Sequence, residues 1–253
     1  MARVATAAII VLALLATGAH AGGVETPQAT FFRANALYAD GRYGDAAAEY
    51  ERVLATGVAS ANTWFNLGNA RLKAGQIGPA VLAYERAARL APGDPDIRAN
   101  LAFAREQGGL ADAAPGWWTR LLFPLARSWS TDALLGAAAV AWWLLALCLI
   151  VRRLVPAAAR PTWWSAVATG VVLLVVGASA AYRLATVDLR RTAVVVTPAE
   201  VGVRFEPSSS GTVHFPAKPG TTLRLLGERD GWVQVGRDDG LRGWVERDAV
   251  GEV

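Results

Sequence analysis

Residues 41–58 read GRYGDAAAEYERVLATGV, and residues 75–92 read GQIGPAVLAYERAARLAP. At a shift of 34, Gly41, Gly44, Ala46, Tyr50, Glu51 and Arg52 fall on Gly75, Gly78, Ala80, Tyr84, Glu85 and Arg86. The echo continues downstream, where Asn66, Leu67, Ala70 and Arg71 return as Asn100, Leu101, Ala104 and Arg105. A fixed period of this length marks a helix–turn–helix solenoid, because one helix pair cannot bury its apolar face alone and stacks on a copy of itself. Such stacks offer docking surfaces rather than enclosed reaction chambers.

Within one unit the spacing predicts a helix over 61–74, with Trp64, Leu67, Gly68 and Leu72 on overlapping faces. Gly75 ends it, since a left-handed residue commonly closes a helix. A second helix is expected over 78–91, carrying Ala80, Tyr84 and Ala87 at three-to-four spacing, and Pro92 with Gly93-Asp94-Pro95 makes the turn. Gly68 and Ala80 let the two helices approach closely, and Tyr84 and Trp64 fill the neighbouring space.

Trp64, Leu67, Gly68, Ala80, Tyr84, Ala87 and Pro92 closely resemble the tetratricopeptide-repeat signature. One departure is Arg71, where that family usually has an aromatic. The unit 27–60 matches at Ala34, Gly41, Tyr43, Ala46 and Tyr50 but not at Thr30, Arg33 and Val58, and 95–106 matches half a unit, as a capping helix would. The resemblance therefore covers 27–106. It implies a concave peptide groove lined by the first helix of each unit, here Gln28, Phe31, Asn35, Tyr38, Asn62, Phe65, Asn66, Asn69 and Lys73. Asparagines suit such a groove because each offers both a donor and an acceptor. The alternative for any one of them is solvation of a helix face or contact with the next repeat, and two full repeats make only a short groove.

Over all 253 residues the chain is 53% hydrophobic and 18% charged, against about 25% charged in soluble domains. Three apolar segments account for the difference. The first, 5–18, follows Arg3 and precedes Ala19-His20-Ala21, which reads as an export signal over 1–21 cut after Ala21, with an uncleaved anchor as the alternative. The second and third, 133–151 and 163–182, contain no charge, and each is long enough to cross a bilayer, which takes about 20 helical residues. Asp132, Arg152, Arg153 and Arg183 stand at their ends, with Trp142, Trp143, Trp163, Trp164 and Tyr182 among their aromatics.

The short loop 152–162 carries Arg152, Arg153 and Arg160, which belongs on the cytoplasmic side. Combined with the export signal, this predicts a bacterial inner-membrane hairpin with both flanking regions in the periplasm. The net charge of +4 then reflects arginines beside the spans, where they meet membrane lipid, and nucleic acid is not an expected partner. Cys148, the one cysteine, sits inside the first span and excludes an intrachain disulfide. The linker 107–131, with Trp117, Trp118, Leu121, Leu122 and Phe123 among arginines, reads either as a segment lying in the headgroup region or as a plain loop broken by Pro124.

After Leu189 the pattern turns to short strands, expected at 193–196, 221–226, 232–235 and 243–245. Turns are expected at Asp230-Gly231 and Asp239-Gly240, the latter fitting a tight hairpin between two strands, and closure into a small barrel would remove exposed edges. Val203-Arg204, Pro207-Ser208-Ser209, Pro219-Gly220-Thr221, Arg229-Asp230-Gly231-Trp232-Val233 and Gly243-Trp244-Val245 together resemble the bacterial SH3-like domain, over 192–253. The segment has no tyrosine, which argues against proline-peptide recognition. Trp232 and Trp244 read as core or rim aromatics, and Arg204 and Arg242 as weak candidates for an acidic partner.

No catalytic constellation emerges. After export the chain would hold a single histidine, His214, and a membrane-buried cysteine, which excludes a Cys–His dyad in a soluble region and a multi-histidine zinc site. No GxSxG elbow, Walker loop or Gly-rich dinucleotide turn is present, and no metal or other cofactor is expected. The fold class expected is thus multidomain: an all-α tetratricopeptide solenoid, a two-helix transmembrane hairpin and a small all-β SH3-like barrel.

That order resembles the BatE-like proteins of bacterial aerotolerance operons. The resemblance implies a non-enzymatic inner-membrane adaptor presenting two periplasmic binding modules, associated with membrane proteins carrying von Willebrand A domains and contributing to stress or oxygen tolerance. A cell-wall sensor or anchor touching peptidoglycan through the barrel, and an exported-protein chaperone, are the alternatives.

Overall fold

The computed structural model describes residues 26–110, 117–155, 157 and 159–253. The export signal expected over 1–21 lies outside the described residues, as does the 111–116 part of the linker. Five helices open the described chain: α1 (Pro27–Ala39), α2 (Tyr43–Ala55), α3 (Ala61–Lys73), α4 (Ile77–Leu90) and α5 (Pro95–Gln107).

The 34-residue period is written into both ends of α1, α3 and α5. Thr26, Ser60 and Asp94 are their N-caps, and each side chain accepts a hydrogen bond from a backbone N–H of the first turn, a contact typically stabilising by about 1 kcal/mol. At the other end Gly41, Gly75 and Gly109 all take positive φ, between 61° and 77°. In each case the glycine N–H and the next N–H bond back to Tyr38 and Leu37, Leu72 and Arg71, or Glu106 and Arg105. This paired closure satisfies carbonyls that a helix end would otherwise leave orphaned. The helix expected over 95–106 therefore ends as the two first helices before it do.

Packing repeats at the same spacing. A Cβ on Gly68 would sit 2.6 Å from the Tyr84 ring, so the bare backbone there makes room for that ring. Ala34, Ala46, Ala47, Tyr50, Leu67, Ala70 and Ala83 form one buried cluster. Arg71, the departure from the repeat signature, is paired with Glu51, and its echo Arg105 with Glu85. An ion pair between successive units thus occupies the place of an aromatic contact.

Next come the short α6 (Trp117–Leu122) and the long α7 (Thr131–Leu154) and α8 (Ala159–Arg183). The stretches Thr131–Leu154 and Thr162–Asp188 are long and apolar enough to cross a membrane, and only 11% and 22% of an 18-residue apolar window in each is buried. A core helix of a globular domain would be mostly buried; here Trp143 and Trp164 are each 72% exposed and the apolar surface faces outward. The two helices pack on one another through Leu134, Ala137, Ala138, Val176 and Ala180. Arg152 lies 4.5 Å over the Trp163 ring at the loop end.

At the opposite end the chain is tied shut. Arg183, 5% exposed, donates from Nε to Thr131 Oγ1 at 3.1 Å and from Nη1 to the Ala126 carbonyl at 3.2 Å. Thr131 donates in turn to Asp188, in a turn of π-helix over Leu184–Asp188. Phe123 stacks on Tyr182 with ring centres 4.4 Å apart. The described part of the linker is therefore folded onto the hairpin end, with Leu121 and Leu122 exposed.

Seven antiparallel strands follow: β1 (Thr192–Val195), β2 (Val201–Arg204), β3 (Val213–Ala217), β4 (Thr222–Arg229), β5 (Trp232–Gly236), β6 (Arg242–Glu246) and β7 (Val250–Glu252). They form one sheet in the order β3-β2-β6-β5-β4-β1-β7 around a core of Ala193, Val195, Val203, Phe215, Leu223, Val233, Val235 and Val245. Two expectations are corrected. Asp239-Gly240 does lie in a hairpin, between β5 and β6, but its loop is the five-residue stretch 237–241; the two-residue type I′ turn is at Asp230-Gly231, where φ is positive at both positions, 51° and 79°. Nor is the edge problem met by hydrogen-bonded closure, since the outermost strands β3 and β7 do not pair. Pro216 blunts β3, and α4 covers β7.

Candidate docking surfaces

The residues expected along the groove separate into two patches. Gln28, Phe31 and Asn62 line an open notch of about 260 Å³ with Pro27, Phe32, Val53, Val58, Ser60 and Thr63. Phe32 is 69% and Val58 52% exposed there, so the notch has an uncovered apolar rim. Asn35, Tyr38, Asn66 and Asn69 meet around Tyr50 in a second cleft of about 130 Å³. Phe65 instead packs towards Tyr84, 6.0 Å between ring centres, and Lys73 lines neither patch and is exposed.

Hydrogen bonding explains why the second patch is small. Asn35 Oδ1 accepts from the Tyr50 hydroxyl at 2.6 Å and from Asn66 Nδ2 at 3.5 Å. One period later Asn69 Oδ1 accepts from Tyr84 at 2.7 Å and from Asn100 Nδ2 at 3.3 Å. The carbonyls of Asn35 and Asn69 thus stitch one unit to the next. Burial pushes the Tyr50 hydroxyl up to about 12, with Tyr38 adding to the rise and the Asn66 amide opposing it. Burial likewise raises Tyr84.

The helical unit and the barrel share an interface that the sequence reading did not foresee. Strand β1 is buried on both sides: Ala193 and Val195 point into the barrel core, while Val194 enters the cluster of Ala80, Val81, Tyr84, Leu101 and Ala104. A Cβ on Gly78 would meet the Val195 carbonyl oxygen at 2.4 Å, so helix and strand backbones nearly touch. Arg86 lies over the Trp64 ring at 4.6 Å and donates to the Glu252 carbonyl. Burial lowers its pKa, against an upward pull from the Glu252 carboxylate. Arg89 Nη2 reaches Thr192 Oγ1 at 2.9 Å. The one available signal was that 193–196 reads Ala-Val-Val-Val, a continuous apolar run of the kind buried on both faces.

Beside this junction lies a cleft of about 680 Å³ whose walls come from Arg105, Gly109 and Leu110, from Thr186 and Arg190, and from the barrel residues Lys218, Thr222, Arg224 and Arg237, among others. Nothing in the sequence joins these positions; only the packing of three elements brings them together.

On the barrel itself, Phe205 is 60% exposed and stacks on His214 at 4.1 Å. Arg204 is engaged with the Gly211 carbonyl, while the side chain of Arg242 is exposed. Among the described residues, no three His, Cys, Asp or Glu side chains gather as a metal-binding group.

The sequence profile of the bacterial SH3 domain matches residues 199–251. No curated protein matches the chain. The C-terminal sheet is consistent with that domain; β1, which carries the junction with α4, precedes the matched stretch.

Proposed function

We propose that this chain is a membrane-anchored, non-enzymatic adaptor whose tetratricopeptide-like repeats and SH3-like barrel act as one composite docking body on the periplasmic face of a bacterial inner membrane. The observation that carries the reading is the shared core at Val194 together with the Arg86–Glu252 bond, which holds the two units in fixed register. Both ends of the hairpin meet at Thr131, Arg183 and Asp188, so both units leave it on the same side. The partners proposed are membrane proteins carrying von Willebrand A domains, in a stress- or oxygen-tolerance complex. Confinement to the membrane plane raises effective concentration, so a short groove suffices.

Gln28, Asn62 and Lys73 are exposed and outside the internal asparagine–tyrosine network, which makes them the informative positions. Affinity capture of the full chain from a detergent extract should retain von Willebrand A proteins, and the Q28A/N62A/K73A variant should lose them. Undiminished capture by that variant would remove the groove from the proposal. The second reading, a peptidoglycan anchor, draws on the SH3-domain match and on the exposed Phe205–His214 stack. Retention of the full chain on isolated peptidoglycan, lost in F205A, supports it.

A further inference from the structure

We propose that the cleft between the helical unit and the barrel holds the phosphate of an anionic lipid headgroup. The inference rests on the membrane reading of the α7–α8 hairpin and adds to it a specific lipid site.

Charge is the first argument. Two of the arginines lining the cleft are already paired, Arg105 with Glu85 and Arg237 with Asp239. What remains is Arg190, Lys218 and Arg224 against Glu200 and Asp238; three cations facing two carboxylates leave one positive charge in excess. Arg190 and Lys218 have no ion-pair partner among the described residues, and Arg224 Nε is 3.8 Å from Asp238 Oδ1, beyond hydrogen-bonding distance. A phosphodiester carries one negative charge and several acceptor oxygens, which a guanidinium and an ammonium satisfy well.

Polar lining is the second. Thr186, Thr192, Thr221 and Thr222 stand in the wall together with the cations. No aromatic side chain lines the cleft, and peptide anchors generally seek such pockets.

Position decides between lipid and other phosphates. Thr186 belongs to the π-helical turn that ends the second apolar stretch at Asp188, and Arg190 follows two residues later. The cleft therefore opens where that helix leaves the bilayer, at the level at which headgroups lie and juxtamembrane cations meet them.

The test is native mass spectrometry of the full chain in detergent, delipidated and then titrated with phosphatidylglycerol or phosphatidylcholine. Phosphatidylglycerol should stay bound, R190A/K218A should weaken it roughly thirtyfold, and K218R should restore most of it. Arg52→Ala, an exposed cation outside the cleft, should leave it unchanged. Equal retention by R190A/K218A, equal binding of phosphatidylcholine, or displacement by millimolar glycerol phosphate would each overturn the lipid assignment. Binding of soluble peptidoglycan fragments that is lost in K218A would also overturn it, by giving the cleft a wall ligand. Carbonate extraction of the same variants reports the membrane reading separately: a protein that stays in the pellet yet keeps no lipid sinks the site alone.

Discussion

The Arg86 guanidinium donates to the Glu252 backbone carbonyl, its Nε at 3.0 Å, across 166 residues of chain. Its counterpart one period earlier, Arg52, is exposed and, among the described residues, pairs only with Glu49 on its own helix, at 2.9 Å. The same residue in the same repeat position therefore closes an interface in one unit and solvates a surface in the other. What differs is the neighbour: β1 and β7 pack against α4, and among the described residues no strand packs comparably on α2.

Separation of the two units follows from crowding at Gly78. Gly78→Ala puts a methyl group 2.4 Å from the Val195 carbonyl oxygen, and backbone cannot give way as a flexible side chain can. The cost expected is about 1–3 kcal/mol, read as faster hydrogen exchange in α4, β1 and β7 with the rest of the barrel unchanged. Unaltered exchange across the junction would contradict a rigid composite.

The asparagine–tyrosine stitch has a modest, local value. Tyr84→Phe keeps the ring against Gly68 and removes the donor to Asn69 Oδ1, which still accepts from Asn100. The expected loss is about 1 kcal/mol in chemical denaturation. Gly68→Ala, which drives a Cβ to 2.6 Å from that ring, should cost more, about 1–3 kcal/mol.

Alkali should weaken the helical unit. An unfolded tyrosine titrates near about 10, and Tyr50 in the fold near about 12. Between these values the folded state keeps a proton that the unfolded state has lost, so stability falls as pH rises. Its contribution is complete below pH ~10 and disappears through pH ~12, about 3 kcal/mol for this one group. Tyrosinate absorbance should show late titration, and Tyr50→Phe should flatten the stability loss. A variant that loses stability as steeply as the parent would refute the assignment.

The β4–β5 hairpin isolates a pure backbone effect. A Cβ on Gly231 would meet nothing within 4 Å, yet φ is +79°. Gly231→Ala should therefore destabilise the barrel by about 1–2 kcal/mol through strain alone, measured by its melting with the hairpin partners Arg229 and Trp232 otherwise intact.

Periodicity carried most of what was legible. The echo from Gly41 to Arg105 specified helix lengths, turn positions and the close helix approach at Gly68, because each depends on residues within about one period of each other. Apolar length marked α7 and α8 for the same local reason. Strands β2, β3 and β7 were missed: 201–204 and 250–252 are short and interrupted by glycine, and 213–217 contains Pro216, so none shows the alternation that marks a strand. Asp239-Gly240 closes a longer hairpin than expected because the same dipeptide serves a two-residue turn and a five-residue loop, and only φ tells them apart.

The sequence by itself determined the repeat period, the helix end at Gly75, the two apolar helices and the β character of the C-terminal segment. Each is set by propensity, spacing or hydropathy among near neighbours. Only the tertiary structure decided that Val194 turns into the helical core, that Arg86 reaches Glu252, and that Arg190, Lys218 and Arg224 line one cleft. Those relations join residues about 100 or more positions apart, or separate elements, and burial against a particular surface leaves no period behind.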